Sequence, residues 1–413
     1  MRVLRLAVVA LLLLGAAAAW VAWRNVAGEA PVLPRPADGP ARDPAQIERG
    51  AYLALAGNCA GCHTDRGGRP YAGGRAIDTP FGTVYASNLT PDAGTGLGRW
   101  SASEFWRAMH HGRSRDGRLL YPAFPYPNFT RLSRDDSDAL FAFLQALPAV
   151  EQPHRKPALR FPYDQQAALA VWRALYFTPH TAPAAASRGE YLVEGLGHCR
   201  ACHGARNPLG APLERGGAVV TAQNWYAPSL GAADEAGVAG WSEDEVVALL
   251  ASGISARGSA LGPMAAVVFQ STQHLRPDDL RAMARYLQSL PQDARRDVPP
   301  AEPAPADTMA RGAELYETHC ADCHGERGEG RTGQAPALAG NRSVTMGNGH
   351  NLIQVLRHGG FTPATAANPR PYGMPPFGPL LDDGDIAALA TFVRQSWGQR
   401  APAVRPLDVM RTR

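Results

Sequence analysis

The feature that most constrains this chain is a Cys-x-x-Cys-His pattern, which occurs three times and uses all six cysteines. Two thiols at this spacing can each bond one haem vinyl group, while the imidazole of the next residue reaches the iron. A zinc site would need ligands from elsewhere, and a thioredoxin-like pair would not need a histidine behind it three times. The pattern therefore predicts three covalently bound haem c groups. The predicted attachment and proximal residues are Cys59, Cys62 and His63; Cys199, Cys202 and His203; and Cys320, Cys323 and His324.

Residues 1–27 form a predicted export segment. Arg2 and Arg5 precede an apolar run from Leu6 to Trp23, and Arg24 follows it. Small residues near the end of the run suit a signal peptidase, yet the run is also long enough to span a membrane and ends in tryptophans. A cleaved signal peptide and a retained anchor both stay open. Because bacteria attach haem c on the outer side of the cytoplasmic membrane, both alternatives predict the periplasmic side of that membrane.

The same succession of helices recurs around each haem motif. An Arg-Gly pair opens an amphipathic stretch before each motif, and a helix that begins with acidic residues closes each repeat. Ser101 with Glu104, and Ser242 with Glu245, form the capping-box pattern that begins a helix. No stretch shows the alternation of apolar and polar residues that the strands of a substantial sheet would show. The sequence therefore predicts an all-α architecture of three small haem domains in a row.

The changes in composition give the predicted boundaries. Proline-rich stretches read as extended linkers, whereas the segment 151–184 carries aromatic and apolar residues that a free linker would lack. We expect that segment to pack across domains. The predicted haem domains are residues 45–150, 185–292 and 307–400, the linkers are 28–44 and 293–306, and the C-terminal tail is 401–413.

The composition excludes some partners. With 413 residues, of which 45% are apolar, the chain can fill several modest cores. Its formal charge is only +4 and is spread without long basic runs, so nothing indicates a nucleic acid partner. Lys156 is the only lysine. A surface that docks a protein partner must therefore use arginine or acidic residues.

The second and third repeats each offer a methionine as the sixth iron ligand. A thioether on the far side of the haem favours the ferrous form and raises the reduction potential. Met264 follows His203 by 61 residues, and Met374 follows His324 by 50. Each lies in a Pro/Gly-rich stretch between two predicted helices, where a core methionine would have little to pack against. Met346 is a weaker rival in the third repeat.

In the first repeat the matching position holds Phe124, which cannot coordinate iron. Three outcomes stay open for the first haem. Met109 stands in the preceding helix where the other repeats place leucine, so it can supply the ligand. His110 or His111 can bind instead, or the iron can keep an open site beneath Phe124.

Several stretches resemble the three-haem cytochrome c subunits of membrane-bound periplasmic dehydrogenases for alcohols, aldehydes, gluconate and sorbitol. They are TPFGTVYASNLTPDAGTGLGRWSASEFWRAM, DGRLLYPAFPY, LGPM, GMPPFG and ATFVRQSWG. The resemblance covers nearly all of the mature chain and implies three tandem class I-like cytochrome c domains. It also implies that the three motif histidines, Met264 and Met374 are iron ligands. Such subunits take electrons from a catalytic partner and pass them to ubiquinone or to another cytochrome.

Phe124 departs from this pattern, because the alcohol dehydrogenase type has methionine in that loop. The YPAFPY version is more similar to the cytochrome subunits that accompany molybdenum hydroxylases, such as isoquinoline, nicotinate and some aldehyde oxidoreductases. The resemblance therefore favours a molybdenum hydroxylase as the catalytic partner, with a flavoprotein or a quinoprotein as alternatives.

Two classes of function are consistent with these features. The first is an electron-transfer subunit without substrate chemistry of its own, since the sequence contains no Rossmann or P-loop fingerprint in the required context and no nucleophile elbow. The second is a haem enzyme or gas-binding protein with an open first haem, similar to a peroxidase. A haem subunit of a terminal oxidase ranks last, because it would usually bring more membrane-spanning sequence.

Overall fold

The chain is represented by a computed structural model that describes residues 1–34, 43–181, 187–213, 216–220, 223–292, 301–331, 333–371 and 373–412. Residues 35–42 and 293–300, which belong to the two predicted proline-rich linkers, lie outside the described residues. Close contacts group the chain into two compact units rather than three, so the division into three domains stays a prediction. The first unit comprises Met1–Ala54, Cys62–Ala186 and Glu194–His198. The second comprises Leu55–Gly61, Ser187–Val193 and Cys199–Arg413.

Helices dominate the described residues, as the sequence predicts. Those up to residue 176 are α1 (Arg2–Val26), α2 (Pro44–Ala56), α3 (Cys59–His63), α4 (Ala102–His111), α5 (Tyr126–Phe129), α6 (Arg134–Ala146) and α7 (Gln166–Tyr176). The second repeat has α8 (Arg188–Glu190), a π-helical turn (Tyr191–Leu196), α9 (Arg200–His203), α10 (Glu243–Ser252), α11 (Gly262–Gln270), a 3-10 turn (Thr272–His274) and α12 (Pro277–Ser289). The third has α13 (Ala306–His319), α14 (Ala321–His324), α15 (Arg342–Thr345), α16 (His350–His358), α17 (Asp383–Gln395) and α18 (Pro406–Met410).

The expectation of an all-α fold is corrected, because the described residues also form four small antiparallel sheets. Their strands have two to four residues, which is too short for an alternating pattern to stand out in the sequence. The three-stranded sheet has β1 (Ala76–Thr79), β2 (Gly82–Tyr85) and β3 (Ala158–Leu159) in that order. The two-stranded sheets pair β4 (Ala218–Val220) with β5 (Trp225–Ala227), β6 (Ile254–Ser255) with β7 (Gly258–Ser259), and β8 (Gly360–Phe361) with β9 (Gly373–Met374).

The capping boxes predicted for the central helices of the first two repeats are confirmed. The Ser101 hydroxyl accepts from the Glu104 N–H at 3.2 Å, and the Glu104 carboxylate accepts from the Ser101 N–H at 2.8 Å. Ser242 and Glu245 make the same reciprocal pair. These contacts satisfy backbone donors that a helix start otherwise leaves unpaired, and so they fix where α4 and α10 begin.

A glycine in each repeat lets the first helix pack directly on the last. A Cβ atom on these glycines would lie far inside van der Waals contact of a carbonyl oxygen in the closing helix, which is why only hydrogen fits there. The Cβ-to-oxygen distances would be 1.9 Å from Gly50 to Ala139, 2.1 Å from Gly189 to Ala282, and 2.4 Å from Gly312 to Ala388.

The arginine before each of these glycines pairs with an aspartate in the first turn of the same closing helix. The donors and acceptors are Arg49 and Asp136 at 2.8 Å, Arg188 and Asp279 at 2.8 Å, and Arg311 and Asp385 at 2.9 Å. The Arg-Gly pair that opens each repeat therefore fixes how the first helix crosses the last one, and the same crossing occurs in all three repeats.

The segment 151–184, which we expect to pack across domains, contacts other parts of the first unit. β3 pairs with β2, so that Gly82 lies opposite Leu159. α7 packs against the end of α1: the Asn25 side-chain amide donates to the Ala170 carbonyl at 2.9 Å. The segment thus connects the apolar N-terminal helix to the first repeat.

The second and third repeats share the second unit and are joined by hydrogen bonds. The Asn351 side chain accepts from the Tyr226 N–H at 2.8 Å and donates to the Tyr226 carbonyl at 2.7 Å, as a neighbouring strand would. The Gln354 amide donates to the carbonyls of Asn224 and Thr412. The interface therefore includes the C-terminal tail.

Candidate haem attachment sites

Each Cys-x-x-Cys-His motif lies on a single helical turn, formed by α3, α9 and α14 with the residues next to them. The second cysteine of every motif is exposed, and the six cysteines form no disulfide. Cys320 is buried, and burial raises its pKa to about 12, with a further contribution from Cys323. Among the described residues, no group of three or more His, Cys, Asp or Glu side chains is placed to hold a metal ion directly. The arrangement fits covalent attachment better than direct metal binding.

The imidazole of every motif is held by a backbone carbonyl. Nδ1 lies 2.7 Å from the Ser87 oxygen for His63, 2.7 Å from the Pro228 oxygen for His203, and 2.9 Å from the Pro336 oxygen for His324. Because a carbonyl can only accept, Nδ1 carries the proton and the lone pair is on Nε2. Burial lowers the pKa of all three imidazoles, and the carbonyl contact opposes that effect without reversing it. The neutral, oriented ring is the form that binds iron.

Sequence reasoning missed these carbonyls, although a signal for them exists. Each belongs to the second residue of an Ala-x-x-Leu segment. The three segments are Ala86–Leu89, Ala227–Leu230 and Ala335–Leu338. The haem groups fit the residues present, because every repeat provides two thiols on one turn and an imidazole with a fixed tautomer.

The two predicted methionine ligands lie in short elements rather than in open loops. Met264 is half-buried in the first turn of α11, and a Cβ on Gly262 in the same turn would meet the Trp225 ring at 2.5 Å. Trp225 is three residues before Pro228, which holds His203. The start of α11 therefore lies close to the strand that leads to the carbonyl of the proximal side.

In the third repeat, Met374 lies on β9 opposite Gly360 and packs against a buried cluster that contains Cys320. The ring of His319, directly before that cysteine, is 5.7 Å from the ring of Phe377. The methionine segment and the attachment motif therefore share one core. Met346 is 4% exposed, and its carbonyl accepts from the Arg394 guanidinium at 2.8 Å.

The three candidate ligands of the first haem have different surroundings on α4. Met109 is 6% exposed and lies one turn after Phe105, whose ring packs on the Phe141 ring of α6 with 5.4 Å between centroids. The His110 ring instead stacks on Trp106 with 4.4 Å between centroids. Met109 thus shares the core-facing side of the helix, and His110 lies on another side.

His111 is 4% exposed, and its carbonyl accepts from the buried Arg173 at 2.6 Å. Phe124 is half-buried in the loop before α5, with its ring 5.4 Å from the ring of Phe129. An aromatic cluster therefore occupies the place where the other two repeats have a methionine.

The model of the cytochrome c family matches residues 47–148 and 309–397. The chain is 39% identical over 410 residues to the cytochrome c subunit of a quinone alcohol dehydrogenase from Gluconacetobacter polyoxogenes, covering 91% of this chain and 86% of that protein. It is 37% identical to the cytochrome c subunit of a gluconate 2-dehydrogenase from Pantoea cypripedii, covering 89% of both. It is 41% identical to a subunit of the nicotinate dehydrogenase from Pseudomonas putida, covering 94% of this chain but only 33% of that protein.

Proposed function

Because the chain belongs to the family of the cytochrome c subunits of alcohol, gluconate and fructose dehydrogenases, we propose that it passes electrons from a dehydrogenase catalytic subunit through three covalent haem c groups to the respiratory chain. The observation that carries this proposal is one local geometry repeated three times. Two thiols and an imidazole share a turn, and a backbone carbonyl fixes the imidazole tautomer. Haem c, when bound, supplies one-electron oxidation and reduction.

The residues of this chain bind the haem groups and set their reduction potentials. The thiols of the three motifs form the thioether bonds, and Nε2 of His63, His203 and His324 binds iron from one side. Met264 and Met374 close the second and third sites and raise their potentials, because a thioether favours ferrous iron. The shared core of Met374 and Cys320 supports this assignment in the third repeat.

For the first haem we assign the sixth position to Met109. The assignment is supported by its burial on the core-facing side of α4, and by the stacking of His110 on Trp106. An open first haem, as in a peroxidase or a gas-binding protein, is the alternative function, and the observation that favours it is Phe124. Adding carbon monoxide distinguishes these two functions. The absorbance spectrum of a carrier with three closed irons barely changes, whereas an open iron binds the gas.

In this proposal the chain lies on the periplasmic side of the cytoplasmic membrane and is held there by α1. α1 is a single helix of 25 residues, long and apolar enough to cross a membrane. The small residues that would suit a signal peptidase lie inside that helix, and Arg24 and Asn25 at its end are hydrogen-bonded to α7. These features support a retained anchor. The N-terminal peptide of the mature protein, identified by mass spectrometry, distinguishes it from a cleaved signal.

The proposed partner is a molybdenum hydroxylase, with ubiquinone or another cytochrome as the electron acceptor. The YPAFPY loop and the nicotinate dehydrogenase relative support this partner over a flavoprotein or a quinoprotein. The test is to purify the tagged chain gently in detergent and to identify the co-purifying subunit and its cofactor. A single chain that arrives without a partner, and whose haem binds carbon monoxide, would overturn the carrier function.

A further inference from the structure

α7 turns an apolar face away from the protein. Its sequence, QAALAVWRALY, carries one charge, Arg173. Val171 is 46% exposed and Leu175, one turn later, is 55% exposed, with Tyr176 at 38% beside it. A surface helix normally shows the opposite pattern, with its apolar residues inside and its charges outside.

The single charge of α7 points inward. Arg173 is 3% exposed, donates to the Asn25 side-chain oxygen at 2.9 Å, and donates to the His111 carbonyl at 2.6 Å. Its guanidinium also lies over the rings of Tyr126 and Phe177. The polar side of α7 is therefore used for packing on the first repeat, and the side that faces outward has no charge.

The helix that carries this exposed face is bonded to the end of α1. Arg24, at the end of the apolar run of α1, donates to the carbonyls of Ala174 and Phe177, so the two helices are joined where α1 leaves its membrane-length stretch. Trp20 and Trp23, near the end of the same run in α1, are 42% and 59% exposed. Tryptophans of this kind are typical of the boundary between lipid tails and headgroups.

We propose that the outward face of α7 lies in the headgroup layer of the bilayer that α1 crosses, so that the first repeat is fixed to the membrane at two places. A lipid surface fits this face better than a protein partner does, because α7 is bonded to the end of the membrane-length helix and adds Trp172 and Tyr176 to the tryptophans of α1. An amphipathic helix that lies in the interface buries such a face among the upper parts of the acyl chains. The inference rests on the proposed anchoring by α1.

The test uses the full holoprotein, in which haem attachment consumes the native thiols and an introduced cysteine is the only reactive one. Nitroxide labels are attached through Val171→Cys and Leu175→Cys, and the protein is inserted into vesicles of phosphatidylethanolamine and phosphatidylglycerol. Leu209→Cys is the matched control, because Leu209 is also 46% exposed and belongs to the second unit. The readout is the relative collision rate of each label with oxygen and with a water-soluble nickel complex.

We expect the two α7 labels to collide several-fold more with oxygen than with the nickel complex, and the Leu209 label to show the reverse. Labels on α7 that stay as accessible to nickel as the control would overturn the inference, as would protection that arises only when the catalytic subunit is added. Equal protection of all three labels also contradicts it, since exposure of any apolar side chain would then suffice. Flotation of the protein with the vesicles is scored separately: a chain that does not float disproves anchoring by α1, whereas a chain that floats with nickel-accessible α7 labels disproves only the role of α7.

Discussion

Met264 and Met283 belong to the same repeat but have different surroundings. Met264 is half-buried at the start of α11, whereas Met283 is 3% exposed inside α12. We predict that Met264→Ala opens the second haem and lowers its potential, because a thioether that favours ferrous iron is lost. Met283→Ala, the control, should lower the free energy of unfolding by about 2–5 kcal/mol and leave the potential unchanged.

In the third repeat, Met374→Ala is compared with Met346→Ala, which removes the rival ligand; we expect only Met374→Ala to lower the potential. Potentiometric titration followed by visible spectra measures both pairs. A potential that stays at the wild-type value in Met264→Ala or Met374→Ala would remove that residue from the ligand set.

The first haem requires a different pair of variants. We predict that Met109→Ala makes this haem reactive to carbon monoxide, because the proposed ligand is lost. Adding Phe124→Met in the same chain should suppress the reaction again, since the thioether would return at the position used in the other repeats. Absorbance spectra with and without the gas measure both steps. A wild-type protein that already binds carbon monoxide would contradict Met109 as the ligand.

His110 and His111 make the first repeat sensitive to acid. Burial and then His111 lower the pKa of His110 to about 4, and burial and then Arg173 lower the pKa of His111 to about 4. In the unfolded chain both titrate near 6.5, so between these pH values the unfolded state binds protons that the folded state does not. The contribution of this pair to the free energy of unfolding is therefore fully present above about pH 6.5 and is lost as the pH falls towards 4.

The measurement is the free energy of unfolding of the wild type and of His111→Gln over this pH range. We expect the variant to show a shallower slope. Equal slopes would mean that the histidine pair does not control the acid response.

At the scale of single residues, the sequence predicts the residues of the haem motifs but not the backbone atoms that hold their histidines. Spacing alone predicts the six cysteines and three histidines as haem-binding residues, because the haem chemistry demands neighbouring residues. The carbonyl of Ser87 could not, since it meets His63 across 24 residues of chain and a backbone oxygen carries no residue signature.

At the scale of elements, the glycine of each helix crossing controls how closely two helices approach. Alanine normally stabilises a helix relative to glycine. We predict the opposite for Gly312→Ala: its Cβ would lie 2.4 Å from the Ala388 oxygen, so the helices must separate and the free energy of unfolding should fall by about 1–3 kcal/mol.

Gly240→Ala is the control, because a Cβ there meets nothing within 4 Å. The free energy of unfolding of both variants, measured by chemical denaturation, tests this prediction. If Gly312→Ala is as stable as Gly240→Ala, α13 and α17 do not depend on this close contact.

The sequence could predict helices but not the small sheets. The capping boxes and the closing helices have local patterns that follow from helix geometry. β3, by contrast, has two residues and finds its partner β2 more than 70 positions earlier in the chain. Such a pairing depends on where α7 places the segment, and no local pattern records that position.

At the scale of the whole molecule, Asn351 joins the second and third repeats. It extends the edge of β5 with two hydrogen bonds to Tyr226. We predict that Asn351→Ala costs about 1–3 kcal/mol, because the two backbone groups lose their partners, and that it separates one thermal unfolding transition of the second unit into two.

Asn341→Ala is the matched control, since within the described part of the chain its side chain bonds to Ala337 and Ser343 of its own repeat. It should lower the transition temperature without dividing the transition. Calorimetry of the two variants is the measurement, and a single transition in Asn351→Ala would show that this contact does not couple the repeats.

The π-helical turn Tyr191–Leu196 affects how the three repeats are aligned with one another. The spacing from the crossing glycine to the first cysteine is nine residues from Gly50 to Cys59, ten from Gly189 to Cys199 and eight from Gly312 to Cys320. A π-turn takes up an added residue without ending the helix, so the glycine contact and the haem motif both keep their places. The second repeat thus has one residue more than the first and two more than the third between glycine and cysteine, and its π-turn accommodates added length. Repeats descended from one ancestral copy must be aligned with a gap inside this turn, or every equivalence after it is displaced.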